Sequence, residues 1–112
     1  MTTLLALYRR PEGGPAALSA FERAYAEQHL PLVAETPGLT ALRVRRVAQS
    51  LGGESDLVLA TEMEFVDAEG LDAGLASDAM RAAGRNLRDI APGLATLLVL
   101  EDATQLLPEG WR

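Results

Sequence analysis

The 112-residue chain contains no cysteine and no lysine, and it has a single histidine. Without cysteine there is no disulfide, no zinc–thiolate site and no thiol nucleophile. That composition is compatible with a reducing cytoplasm. Without lysine there is no Schiff-base chemistry. One histidine is too few for a His-rich metal site. No stretch approaches the roughly 20 apolar residues of a membrane span. The opening "MTTLLALYRRPE" lacks the basic start, longer apolar run and small-residue cleavage site of a signal peptide. A cytoplasmic protein with no membrane partner is expected. Positive charge is scarce too: ten arginines face 16 acidic residues, a formal charge of −6. Such a chain lacks the diffuse positive field that holds phosphate backbones, which argues against a nucleic-acid partner.

What is present suffices for a core. Apolar residues make up 48% of the sequence, enough for one compact domain over residues 1–112. A domain this small leaves much surface uncovered, so dimerisation would help it.

Periodicity and breakers divide the chain. "TTLLALYR" (2–9) reads as a buried strand, closed by "RPEGGP". "PAALSAFERAYAEQHL" (15–30) reads as a helix, with Pro15 suited to its first turn. Ser19 and Glu22 offer a capping box for a later start, but Leu18 extends the apolar stripe and favours the earlier one. "LTALRVRRV" (39–47) and "DLVLATEMEF" (56–65) read as a hairpin. Its strands carry Arg43 and Arg45 opposite Glu62 and Glu64, ordinary cross-strand pairing. Residues 67–91 are helical in pattern but broken, with Ser77 or Asp78 capping the second piece. "GLATLLVLED" (93–102) is a last strand. Leu106, Leu107 and Trp111 suggest that the tail, residues 102–112, packs down.

The order strand–helix–strand–strand–helix–strand is the α+β, ferredoxin-like arrangement with an antiparallel sheet. Helices cover one sheet face. The other is too apolar to meet water readily, and a second copy packed sheet to sheet is the expected cover. The result would be a homodimer of the dimeric α/β-barrel type.

Within this frame the chain resembles the EthD family of the dimeric α/β-barrel superfamily. The resemblance rests on Tyr8, Arg9 and Arg10 at the end of the first strand. It rests also on Phe21, Tyr25, His29 and Pro31 in the first helix, and on Pro37-Gly38 before the second strand. "SDAMRAAGRNLRDI" stands in the second helix's place. The resemblance implies association with an oxidative ether-degradation system, and related barrels include cofactor-free monooxygenases, isomerases, cyclases and haem-binding enzymes. Fold does not choose among them.

The residues themselves focus on His29. Leu18, Phe21, Tyr25 and Leu32 form the apolar stripe, with His29 at its edge one turn beyond Tyr25. Pro31 lacks an N–H and crowds the Glu27 carbonyl, so the helix should end or kink near 28–30. His29 would then sit among free carbonyls, where an imidazolium is favoured. In the bland reading the ring only packs and bonds a carbonyl. In the functional one it faces a cavity between the helix and the sheet, as a general acid–base. Tyr8 and Tyr25 would then bind the ligand by donating to a carbonyl or developing oxyanion. No cofactor and no metal are expected. A carboxylate site from Glu62, Glu64 and Asp67 competes poorly with pairing to arginine, and one axial histidine is thin support for haem. Two functions remain open: cofactor-independent acid–base or oxidative catalysis on a small apolar molecule, or non-catalytic binding of such a molecule.

Overall fold

The apolar run in "TTLLALYR" builds the central strand, β1 (Thr2–Arg9), in which every second residue from Thr2 to Tyr8 is buried. The computed structural model describes residues 1–111; Arg112, the end of the expected tail, lies outside the described residues. β1 is flanked by β3 (Leu57–Phe65) and β4 (Ala95–Glu101), and β2 (Ala41–Arg46) extends the sheet beyond β3. All three pairings are antiparallel, in the order β2-β3-β1-β4. This is the ferredoxin-like fold. The single chain is an open slab about 18 Å thick, not a closed barrel.

Register assigns the two faces. Leu4, Ala6 and Tyr8 lie level with Met63, Thr61 and Leu59 of β3, and with Val99, Leu97 and Ala95 of β4. This face meets the helices and holds the core. The opposite face is divided. Leu5, Leu7, Leu98 and Leu100 make its β1/β4 half apolar. On the β2/β3 half Arg43 pairs with Glu64, and Arg45 with Glu62. Arg43 stands directly across from Glu62, and Glu64 across from Ala41. The ion pairs therefore run diagonally between strands.

The first helix begins early. α1 (Gly14–Ala24) follows Gly13, whose φ of 112° only glycine tolerates well. A Cβ there would also sit 2.9 Å from the Ala17 Cβ. This turn, rather than the Ser19–Glu22 box, sets the start. Of the expected end or kink near 28–30, the end does not occur. The chain passes through a π-helical turn, Tyr25–His29, and continues as α2 (Leu30–Ala34).

Two causes converge on the π turn. Pro31 cannot donate to the helix ladder. In addition, the buried residues Phe21, Tyr25, His29 and Val33 recur every four positions. At 3.6 residues per turn those three steps drift by about 120° around a regular α-helix. One i→i+5 turn, closed by the Leu30 N–H on the Tyr25 carbonyl, rewinds the stripe onto the core face. Val33, not Leu32, continues the stripe, and His29 lies on it rather than at its edge.

The second helical region is broken, as its pattern predicts. α3 (Ala68–Leu75) starts at Asp67, whose side chain accepts the Gly70 N–H. α4 (Asp78–Ile90) starts at Ser77, which accepts the Met80 N–H. The tail corrects an expectation. Leu106, Leu107 and Trp111 are exposed, because the chain leaves the edge strand β4 with no element of its own beside it. Among the described residues, no helix is long and apolar enough to cross a membrane.

Candidate functional site

The three residues singled out by the sequence meet at the helix–sheet boundary, and all are buried. β1 supplies Tyr8, and the π turn supplies Tyr25 and His29. The Tyr8 and Tyr25 rings pack edge to face with centroids 5.0 Å apart. His29 stacks on the other side of Tyr25.

Beneath the rings lies a chain of hydroxyls. Tyr25 Oη donates to Tyr8 Oη at 3.1 Å. It also shares a 2.6 Å bond with Thr61 Oγ1. Tyr25 has one hydroxyl hydrogen, so Thr61 donates in the second bond. The chain thus runs Thr61 to Tyr25 to Tyr8, and the Tyr8 hydrogen is left over for an outside acceptor. Thr61 is fully buried in β3. Sequence reasoning gave it no role; a threonine alternating with Leu57, Leu59, Met63 and Phe65 was the available signal.

A cavity of about 110 Å³ opens beside this chain. Its walls come from β1, β3, β4, the π turn, α2, α3 and α4, with Leu4, Val33, Met63, Met80 and Leu87 among them. Among the described residues, His29 and Tyr8 are the only polar side chains on its lining. The expected cavity between helix and sheet is thus present, and His29 lines it. Tyr25 does not: it stands behind Tyr8 and His29. It lines instead a separate groove capped by the Arg46–Glu22 ion pair. A larger surface groove, under the 50–57 loop beside Arg9, reaches none of the three.

Electrostatics separate the roles these groups can take. Burial pushes the Tyr8 phenol far above its ordinary range, reinforced by Tyr25. Burial also raises the Tyr25 phenol, against the pull of its bonds with Thr61 and Tyr8. Both therefore remain neutral hydroxyls, able to donate hydrogen bonds but not to act as bases. Burial lowers the His29 pKa, and the Asn86 side chain and Ala83 carbonyl of α4 partly offset it. This corrects the expectation of a favoured imidazolium. The helix does not end at His29, and desolvation of the buried ring dominates. His29 is neutral at pH 7, with a lone pair available on one ring nitrogen. Its Nδ1 is sealed from solvent and lacks a hydrogen-bond partner.

Among the described residues, no group of three or more His, Cys, Asp or Glu side chains is arranged to hold a metal ion. Glu62 and Glu64 lie on the opposite sheet face, committed to arginine.

No protein-family model matches the chain, and neither does any curated protein. Solved structures do match. An ethyl tert-butyl ether D (EthD) family protein from Bacillus halodurans is 35% identical, over 91% of this chain and 98% of that one, with a TM-score of 0.81. A dimeric ferredoxin-like protein of unknown function from Jannaschia is 23% identical, over 91% of this chain and 100% of that one, with a TM-score of 0.65. An antibiotic biosynthesis monooxygenase is 14% identical, over 92% and 99% of the two chains, with a TM-score of 0.61. The last two establish the fold alone. Identity and coverage of the first go further: the chain belongs to the EthD family.

Proposed function

We propose that this protein binds a small, mostly apolar organic molecule bearing one oxygen function, and moves a proton on it without a cofactor. The observation that carries the reading is the cavity lining. Nine-tenths-buried His29 and buried Tyr8 are its only polar side chains among the described residues, set in an otherwise apolar wall. Neutral His29 accepts a proton from a C–H or O–H of the ligand. Tyr8 donates its free hydroxyl hydrogen to the ligand oxygen as negative charge develops there. The Thr61–Tyr25 bonds behind Tyr8 polarise that hydroxyl in the same direction. The volume suits a single ring or a short branched chain, on the scale of the roughly 150 Å³ apolar cavity that takes up benzene. The EthD kinship and the monooxygenase of like fold agree with chemistry on small organic molecules.

The working unit is a homodimer. An 11.9 kDa monomer is expected to expose about 5,900 Å². This chain exposes 7420 Å², an excess of about 1,500 Å² over that expectation. Two copies burying this excess would form an interface of about 3,000 Å², well within the homodimer range. The apolar half of the open sheet face, centred on Leu5 and Leu98, is the natural contact. The Jannaschia relative is described as dimeric.

Cyclohexanone, a neutral ring with one carbonyl, is a suitable probe. Native protein should bind it and exchange the C–H hydrogens beside its carbonyl. The His29→Asn variant should bind it without exchange. Binding by native protein with no exchange would leave a binding protein rather than an enzyme.

A further inference from the structure

Asn86 carries an unexplained arrangement. It lies on α4, against the π turn. Its Nδ2 donates to Gln28 Oε1 at 3.0 Å, which fixes the orientation of the amide. Its Oδ1 then points away from Gln28, buried and without a partner. His29 follows Gln28 directly, and its Nδ1 is also buried and without a partner. The Asn86 side chain and the Ala83 carbonyl are the groups that favour the protonated ring against burial. Two orphaned polar atoms thus sit on residues that the Gln28–Asn86 bond brings together, one on α4 and one in the π turn. Burial of such atoms unpaired is costly.

We infer that Asn86 is the positioning residue for His29, its Oδ1 holding the proton on Nδ1 so that Nε2 is the bare, accepting nitrogen. This rests on the reading of His29 as the proton acceptor. Carbonyl oxygens of this kind have no hydrogen to give. A ring nitrogen facing Oδ1 is therefore stabilised only when it carries the proton. The Gln28 bond prevents Asn86 from turning its NH₂ toward the ring and favouring the other tautomer. Gln28 and His29 sit together in the π turn. The same insertion that keeps His29 on the core face therefore brings its orienting clamp to α4. The other ionisable side chain on the cavity lining, Tyr8, stays protonated and does not compete for the proton on Nδ1.

The lone histidine makes the test direct. In ¹⁵N-labelled protein the ring gives one pair of nitrogen resonances, and their shifts report which nitrogen holds the proton. At a pH above the ordinary histidine range, native protein should show protonated Nδ1 and bare Nε2. Asn86→Ala should convert this single tautomer to a mixture. Asn86→Asp keeps the acceptor, so it should keep the tautomer and raise the pH at which the ring titrates. Native protein with its proton on Nε2 would overturn the inference without any variant. So would an unchanged pattern in a folded Asn86→Ala protein, since the Ala83 carbonyl would then suffice. The readout needs no ligand. Failure of the proposed chemistry would leave it standing, and its own failure would leave a histidine oriented by other means.

Discussion

The His29 ring stacks on the Tyr25 ring, with centroids 5.0 Å apart and planes inclined by 28°. The contact spans a single π turn. It pins the imidazole between an aromatic face and an apolar cavity, and so fixes how the ring responds to acid. Burial lowers the His29 pKa below its ordinary 6.5. The unfolded chain, with the ordinary value, therefore binds the proton more readily. His29 costs no stability above about pH 6.5, where both states are neutral. Stability should fall as the pH drops from there toward the lowered folded value. Urea titrations across that range should show the loss in native protein and a flatter profile in His29→Asn. Equal acid sensitivity in both proteins would mean that the ring is not desolvated.

Thr61 anchors the hydroxyl chain. Thr61→Val keeps the shape of the side chain but removes the donor to Tyr25. The expected cost is about 1–2 kcal/mol, that of one lost buried hydrogen bond. It should appear as a lower urea midpoint with an unchanged slope. Cyclohexanone affinity should also fall, because Tyr8 loses the polarising bond behind it. A variant as stable as native protein would place the Thr61 hydroxyl outside the network.

The open sheet face carries the assembly. Leu98 is 43% exposed in the single chain, so a charge there is tolerable in a monomer and disruptive at a sheet-to-sheet contact. Leu98→Asp should shift native dimers to folded monomers, read by light scattering alongside circular dichroism. Native protein that is monomeric at micromolar concentration would contradict the face-to-face arrangement.

The sequence made much of this fold legible because its signals were local. A short apolar run closed by a breaker marked β1, and the second helix broke where Ser77 supplies a cap. Other features depended on competition between signals. Pro31 argued for a helix stop, while the four-residue spacing of Phe21, Tyr25, His29 and Val33 argued for continuation. A π turn satisfies both, and a rule that treats each signal alone does not find it. The same turn moved His29 from the stripe's edge to its centre. The site's supporting residues were hidden for another reason. Thr61 reaches Tyr25 across the sheet–helix boundary, and Asn86 reaches Gln28 from 58 positions away. Those contacts exist only once the π turn packs on the sheet and α4 docks against it. The tail misled because Leu106, Leu107 and Trp111 are apolar, yet nothing in their own chain lies where they emerge.

The central claim is that His29 takes a proton in the cavity while Tyr8 holds the ligand oxygen. The most direct measurement is deuterium uptake by cyclohexanone in D₂O, followed by NMR, with native, His29→Asn and Tyr8→Phe proteins. The account predicts exchange beside the carbonyl with native protein. It predicts loss of most of that rate, about 10²-fold or more for a positioned base, in His29→Asn with binding retained. Tyr8→Phe should both bind less tightly and exchange more slowly. Exchange that proceeds equally well in His29→Asn would contradict the account, and so would native protein that binds the ketone and leaves its hydrogens in place.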